Sequence, residues 1–164
     1  MLKYCLKKWH ENRDKLEAAI RKDAKLNDCD YTYLLKLLVE HVLNGGDCGV
    51  CNEYKLQANY ITKIDDGDYQ GTLLYLIPFD TYQPSECEYL MTYVGYGSCS
   101  GCDTLRAIQL WEDAPQTELQ VKGYMSLCKD MLTNMIKPYA YGWRENDDFA
   151  VVEMNDEPPE VTKP

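Results

Sequence analysis

Two pairs of cysteines carry the strongest chemical signal in this sequence of 164 residues. The stretch DCGVC contains Cys48 and Cys51, and the stretch SCSGC contains Cys99 and Cys102, with two residues between the thiols of each pair. A glycine stands within each pair, as a tight turn requires if both sulfurs are to face one point. Such pairs bind zinc, exchange disulfides, or pack as small apolar side chains.

A zinc ion held by all four of these thiols is the first hypothesis. However, 47 residues separate Cys51 from Cys99, whereas ribbon-type zinc sites have roughly 15 to 20 between their pairs. The first pair precedes the predicted sheet and the second follows its third strand. At roughly 3.3 Å per residue, the pairs would then lie about 25 to 35 Å apart. An alternative zinc site therefore joins the first pair to one or two other ligands, drawn from Cys5, His41 and Cys87.

For the second pair, two further interpretations stay open. A thiol at the junction of a strand and a helix is stabilised as thiolate, which is typical of thiol–disulfide oxidoreductases. The sequence lacks the βαβ framework of those enzymes and has no proline between the cysteines. The simpler interpretation is a Gly/Ser turn in which Ser98, Ser100 or Asp103 caps the next helix.

The charge distribution limits the classes of partner. The net charge is −10, with +4 in residues 1–25, −9 in residues 26–143 and −5 in residues 144–164. An acidic body repels the phosphates of a nucleic-acid duplex, so we expect no direct duplex binding. The basic first helix is expected to pack beside its own acidic body.

The sequence also indicates a compartment. It contains no apolar run near the length of about 18 residues that a spanning helix needs, and its N-terminus lacks the apolar block of a signal peptide. Eight cysteines in a chain of this size, with no secretion signal, are expected to be reduced. We therefore expect a cytoplasmic protein without membrane contact.

Hydrophobic periodicity predicts an α+β fold. Apolar residues at spacings of three and four predict a helix from Leu2 to Ile20 and a second from Tyr31 to Leu43, ended by Gly45 and Gly46. Their short link makes them an antiparallel N-terminal helix hairpin. From Glu53 the period changes to two, which begins an antiparallel meander of three to four strands, with a turn at Gly67.

The remaining segments predict C-terminal helices, one over 103–111 and one between Pro115 and Pro138, the latter weakened by Gly123. A short strand is possible over 138–144. We expect a single α+β domain over residues 1–143, followed by an acidic, partly mobile tail over residues 144–164.

Aromatic side chains mark a second kind of candidate site. Seven tyrosines fall on or beside the strand patterns: Tyr54, Tyr60, Tyr69, Tyr75, Tyr89, Tyr93 and Tyr96. Packing in the core or across strands is the favoured interpretation of these rings, and the alternative is a sheet face that offers them to a ligand or a protein partner. The candidate binding residues nearest the SCSGC turn are Tyr93, Tyr96, Asp103 and Arg106.

A resemblance points to a viral origin. The strings DYQGT (68–72) and YGSCSGCD (96–103), with the helical segment that follows, resemble those of small, mostly uncharacterised bacteriophage proteins. The resemblance covers roughly residues 66–140 and does not include DCGVC. It implies an accessory role in the cytoplasm of the host bacterium, and it brings no activity or catalytic residues.

These observations favour a non-enzymatic function. With no assembled catalytic constellation, an acidic surface and many aromatics, we expect a phage accessory protein that binds and inhibits a bacterial protein, such as a defence nuclease. One alternative is a protein that sequesters a nucleotide signal, for which Arg106 and Arg144 are the available cations. The other is a thiol–disulfide oxidoreductase that uses Cys99 and Cys102. The sequence leaves the partner and the oligomeric state open.

Overall fold

The computed structural model describes residues 1–45, 55–109 and 115–138. Its helices and strands follow in the order α1 (Leu2–Lys22), α2 (Tyr31–Leu38), β1 (Thr62–Asp65), β2 (Gly71–Pro78), β3 (Tyr89–Tyr96), α3 (Thr104–Ile108) and α4 (Glu118–Thr133). N-terminal helices, an antiparallel sheet and C-terminal helices confirm the predicted α+β class. The short strand predicted over 138–144 falls almost wholly outside the described residues, and the tail 144–164 falls entirely outside them.

The N-terminal hairpin forms as predicted. A 3₁₀ turn over Ala24–Asp28 links its helices, and the Asp30 carboxylate caps α2 by accepting a hydrogen bond from the Tyr33 N–H. The helix continues as a π-helical turn over Val39–Leu43. The buried stripe of α1 comprises Cys5, Trp9, Asn12, Leu16 and Ile20. Cys5 and Asn12 therefore belong to the core, although their residue types did not indicate it.

The three strands form a meander in the order β1-β2-β3, with every pairing antiparallel. The inner face of the sheet is buried and includes Leu73, Tyr75 and Ile77 of β2, with Leu90 and Thr92 of β3. The Thr92 hydroxyl donates to the carbonyl of Met131 at 2.6 Å, which fixes α4 across β3. Beyond α4, Ile136 pairs with Met91 through two backbone hydrogen bonds, so the chain returns to the edge of β3.

The predicted start of the first strand is wrong. Among residues 55–61, Leu56 makes only an isolated bridge to Phe79, and Ala58–Tyr60 form a 3₁₀ turn. The side chain of Asn44 accounts for the difference, since it accepts from the Leu56 N–H at 2.9 Å and donates to the Leu56 carbonyl at 2.8 Å. The Asn44 side chain thus forms the hydrogen bonds with the Leu56 backbone that a neighbouring strand would form if the predicted strand began here.

Helix α4 begins and ends near the predicted prolines, and most of its apolar residues are buried, except in its first turn. A capping box between Thr117 and Gln120 starts it, and Gln120 is buried while Leu119 is 81% exposed. The Gln120 side-chain amide donates to Asn27 Oδ1 at 3.0 Å, and this hydrogen bond explains why the polar Gln120 can be buried. Gly123 is needed where α3 approaches, because a Cβ there would lie 2.8 Å from Ile108 Cγ1.

Gly67, predicted to supply a positive φ in the β1–β2 turn, instead provides room. A Cβ at this position would overlap the Gln70 carbonyl group, well inside van der Waals contact, and the backbone does not adopt the left-handed region. Within the three described ranges, no helix combines the length and apolar character needed to cross a membrane.

Candidate functional site

The SCSGC turn lies between the end of β3 and the start of α3, as the sequence predicted. The backbone closes on itself, since the N–H groups of Cys102 and Asp103 both donate to the Cys99 carbonyl, at 3.0 and 2.8 Å. Both thiol side chains are exposed to solvent. This exposure does not fit the interpretation that the thiols serve as small apolar packing groups.

Asp103 anchors the turn, and its carboxylate is buried beneath the exposed thiols. One oxygen accepts from the Arg106 N–H at 2.9 Å, which caps α3, and also from the Tyr31 hydroxyl at 3.2 Å. The other oxygen accepts from the Gly97 N–H at 3.1 Å. The carboxylate therefore joins the end of β3, the start of α3 and helix α2 at one point.

The Tyr31 hydroxyl extends this network, because it also accepts from the Leu105 N–H at 3.2 Å. Burial, opposed in part by this backbone hydrogen bond, raises the pKa of Tyr31 to about 12. The hydroxyl consequently keeps its proton over the physiological range. Neither Tyr31 nor Gly97 was identified from the sequence as part of the site, since their partners are 74 and 6 residues away.

Two further contacts fix the position of the thiols. The Arg106 guanidinium donates to the Ser98 carbonyl at 2.9 Å, across the mouth of the turn. Gly97 leaves space for the second thiol, because a Cβ there would lie 2.6 Å from Cys102 Sγ and would also overlap the Cys102 carbonyl oxygen. The turn is therefore held by contacts from outside the CSGC string as well as by its own sequence.

The two sulfurs lie close together. Cys99 Sγ and Cys102 Sγ are 2.9 Å apart, and the Cys99 N–H donates to Cys102 Sγ at 3.1 Å. The hydrogen bond with the Cys99 side chain, followed by that from the Cys99 backbone, lowers the pKa of the Cys102 thiol below its ordinary value. The Cys99 N–H thus favours a thiolate on Cys102, while the protonated Cys102 thiol can donate to the Cys99 carbonyl at 3.3 Å.

Other cysteines of the described residues behave differently. Desolvation by burial raises the pKa of Cys5 to about 11 and that of Cys29 to about 12, and it also raises the pKa of Cys128. Cys5 and Cys128 are fully buried in the hydrophobic core. Cys5 and Cys128 are therefore packing groups, in contrast to the exposed Cys99 and Cys102.

The zinc hypotheses depend on residues that the structure does not describe. Cys48 and Cys51 lie outside the described residues, so the four-thiol site is not tested. Of the alternative ligands, Cys5 is buried in the core, His41 is half-buried on the π-helical turn, and Cys87 is half-buried beside the Ser85 hydroxyl. Among the described side chains, no three His, Cys, Asp or Glu residues converge on a point that would suit a metal ion.

The four candidate binding residues take separate roles. The Tyr96 hydroxyl donates toward Asp65 Oδ1 (2.7 Å) and the Gly67 carbonyl (2.8 Å), which ties β3 to the β1–β2 turn. Asp103 and Arg106 build the SCSGC turn, as described above. Only Tyr93 presents its ring to solvent, with half of the side chain exposed.

Tyr93 belongs to an apolar surface that was not predicted as a unit. The register pairs Tyr93 with Leu74 and Leu74 with Ile64, and it pairs Met91 with Leu76, so these side chains share one side of the sheet. Ile136 joins them through its bridge to Met91. We name this surface the outer sheet face, defined by Ile64, Leu74, Leu76, Met91, Tyr93 and Ile136. Its signal in the sequence was the string LLYLI (73–77), which is apolar throughout rather than alternating.

The outer sheet face is partly accessible and lies between acidic loops. Ile64 is 47% exposed and Ile136 is 54% exposed, while Leu74, Leu76 and Met91 are half-buried. Exposed carboxylates follow at both ends of the strands: Asp66 and Asp68 in the β1–β2 turn, and Glu86 in the β2–β3 loop. Residues 55–109 carry three Lys/Arg against seven Asp/Glu, a net charge of −4.

Comparison of the chain with family models, with curated proteins and with solved structures returned no match.

Proposed function

We propose that this chain is a phage-encoded accessory protein that acts in the host cytoplasm by binding and inhibiting a bacterial protein. The observation that carries this proposal is the outer sheet face, an apolar surface of six side chains on a strongly acidic chain. Contiguous apolar surface with an exposed tyrosine is typical of protein interfaces. The phage assignment rests on the DYQGT and YGSCSGCD strings alone.

Charge complementarity defines the partner. Acidic turns flank the apolar surface, so a protein with a basic surface around an apolar patch is the complementary binder. A nuclease keeps such a basic surface for nucleic acid, and carboxylates that occupy it stand in for phosphates. The partner is therefore proposed to be a basic, nucleic-acid-binding host protein, such as a defence nuclease, which this chain blocks without catalysis.

The test compares two tyrosine variants in capture from a lysate of the host bacterium. Tyr93→Asp places a charge within the outer sheet face, whereas Tyr82→Asp makes the same change at a loop side chain that is 98% exposed. We expect the wild type and Tyr82→Asp to retain one basic partner, and Tyr93→Asp to bind it at least about tenfold more weakly, as for an interface hot spot.

The purified partner provides the second readout. Addition of wild-type protein should release a fluorescent oligonucleotide from it, measured by anisotropy, and Tyr93→Asp should not. Equal capture by both tyrosine variants would overturn the proposal, and so would a partner that keeps its oligonucleotide.

Two other occupants of the face are distinguishable. If a second copy covers it, sedimentation would show a wild-type dimer that Tyr93→Asp dissociates. If another segment of the chain covers it, Tyr93→Asp would lower the free energy of unfolding well beyond the loss of about 2 kcal/mol that strand propensity and a cross-strand pair account for at an uncovered strand position. Either result contradicts the binding of a host protein at this face.

A further inference from the structure

The SCSGC turn contains chemistry that binding a host protein does not use. Cys99 and Cys102 are exposed, are free thiols, and belong to no metal cluster among the described residues. Their sulfurs are 2.9 Å apart, so formation of a disulfide of about 2.05 Å needs an approach of only about 1 Å. The backbone of the turn already holds both residues in place.

The anchoring of the turn indicates that this proximity is imposed by the fold. Asp103 holds both ends of the turn, Arg106 holds the Ser98 carbonyl, and Gly97 leaves the space that Cys102 Sγ occupies. A cysteine pair that only needed to fill space would be expected in the core, where Cys5 and Cys128 lie. Three elements instead present these two thiols to solvent.

We propose that Cys99 and Cys102 form a two-electron dithiol–disulfide couple that exchanges with the disulfide of a small thiol or of a protein. The Cys102 thiolate attacks one sulfur of the substrate disulfide, the substrate S–S bond breaks, and the released thiolate takes up a proton. The Cys99 thiol then loses its proton, and its sulfur attacks Cys102 Sγ in the mixed disulfide. This step forms the Cys99–Cys102 disulfide and releases the second substrate thiol, so that the substrate gains the two electrons that the cysteines lose.

The assignment of Cys102 as the attacking thiol follows from its hydrogen bonds. The Cys99 N–H donates to Cys102 Sγ, the Cys99 thiol lies within hydrogen-bond distance of the same sulfur, and a donor at that sulfur stabilises a thiolate. Cys99 lies within reach of the mixed disulfide and is the resolving thiol. Asp103 and Arg106 are positioning residues, since they hold the turn and do not reach the sulfurs through any described contact.

The experiment equilibrates the full-length protein, purified without chelator, in buffers with defined ratios of reduced to oxidised glutathione. Free thiols are then alkylated, and the mass of the protein and its cysteine peptides is measured. In the wild type we expect Cys99 and Cys102 to lose two hydrogens together, in a single two-electron transition, as an intramolecular disulfide.

Single variants separate the two roles. Cys99→Ser should stop at a mixed disulfide between Cys102 and glutathione, because the resolving thiol is missing. Cys102→Ser should form its first adduct at least about tenfold more slowly, because the favoured thiolate is missing. Cys87→Ser is the matched control, since Cys87 is a half-buried thiol with a serine partner, and it should behave as the wild type.

Three results would overturn the proposal: no Cys99–Cys102 disulfide in any glutathione buffer, adducts spread equally over Cys87 and the pair, or one bound zinc ion that protects both thiols from alkylation. The last result would support the four-thiol zinc site instead. None of them bears on the outer sheet face, so this proposal and the proposed function fail separately.

Discussion

At the scale of single residues, the two glycines of the GSCSGC string have different tasks. Gly97 is buried, and a Cβ there would lie far inside the contact distance of Cys102 Sγ and of the Cys102 carbonyl. Gly101 faces open space, with Cys99 Sγ as its neighbour at 3.8 Å. Only the first glycine is therefore required by close approach.

Replacement of these glycines tests that difference. We expect Gly97→Ala to lower the free energy of unfolding by about 1 to 3 kcal/mol, since the neighbouring backbone must shift. It should also slow formation of the Cys99–Cys102 disulfide. Gly101→Ala should remain within about 0.5 kcal/mol of the wild type. Urea unfolding and the alkylation assay measure both effects, and equal losses in the two variants would contradict this account.

Asp103 permits a second prediction, with a matched control on α2. Asp103→Asn keeps the shape of the side chain, but its amide group faces the Gly97 N–H or the Tyr31 hydroxyl in place of an accepting oxygen. A buried donor left without an acceptor costs about 1 to 3 kcal/mol. Asp30→Asn changes an exposed cap that accepts from Tyr33, and asparagine caps helices equally well, so we expect a loss below about 0.5 kcal/mol. Urea midpoints distinguish the two variants, and an Asp103→Asn protein as stable as Asp30→Asn would contradict the anchoring role.

The sequence predicted part of this residue-scale picture. The string SCSGCD indicated a turn and a helix cap at Asp103, because glycines, serines and an aspartate have local preferences that spacing reveals. The contacts of Asp103 with Tyr31, and of Gly97 with Cys102 Sγ, depend on how distant or adjacent segments pack. No local preference encodes them, so the exposure of the thiol pair could not be deduced.

At the scale of elements, one buried asparagine joins the two helices of the hairpin. The Asn12 amide donates to the carbonyls of Val42 and Gly45, at 3.2 and 2.8 Å, where the π-helical turn ends. The last carbonyls of a helix have no N–H partner within it, so they need hydrogen-bond donors from elsewhere. Asn12 thus serves as a cap provided by another helix.

Removal of this amide gives the third prediction. Asn12→Ala leaves two carbonyls without their donor in a buried place, and we expect a loss of about 2 to 4 kcal/mol in the free energy of unfolding. Asn59→Ala, at an exposed position in a 3₁₀ turn, should change it by less than about 0.5 kcal/mol. Hydrogen exchange should locate the loss of Asn12→Ala at Leu38–Leu43. Uniform exchange across the chain would argue against a local cap.

Periodicity predicted most elements correctly and failed where a side chain replaced a strand. Helices α1, α2 and α4 have apolar residues at helical spacing, and β2 and β3 are rich in β-branched and aromatic residues. The alternation around Leu56 had the same appearance, yet Asn44 takes its backbone hydrogen bonds. Likewise, the capping box and Asn27 bury Gln120 and leave Leu119 exposed. Polar partners from other segments decided both cases.

At the scale of the whole molecule, the uneven charge has a structural counterpart. The basic helix α1 packs against α4, and Arg21 at its end forms an ion pair with Glu118 at 2.6 Å. This contact agrees with the expectation that the basic helix packs beside its own acidic body. Among the described residues, the acidic loops around the outer sheet face take no part in this contact, and they belong to the surface to which we propose that a basic partner binds.

The Arg21–Glu118 pair gives the last prediction, a dependence of stability on pH. The hydrogen bond and the charge of Arg21 lower the pKa of Glu118 below its ordinary value of 4.5. Since the folded-state pKa is the lower one, the stabilisation is present above pH 4.5 and is lost as the pH falls through the folded-state pKa. Glu118→Gln should therefore be less stable than the wild type at pH 7, and the difference should shrink as the pH falls below 4.5 and vanish once the Glu118 carboxyl is protonated in the folded protein. Urea unfolding between pH 7 and pH 3 measures this difference in the free energy of unfolding, with Glu86→Gln as a control that removes the same charge from a loop.

Because the Arg21 and Glu118 side chains are both exposed, added salt at about 1 M should shrink the difference at pH 7 as well. A difference between Glu118→Gln and the wild type that is equally large at pH 3 would show that Glu118 acts through packing rather than through its charge.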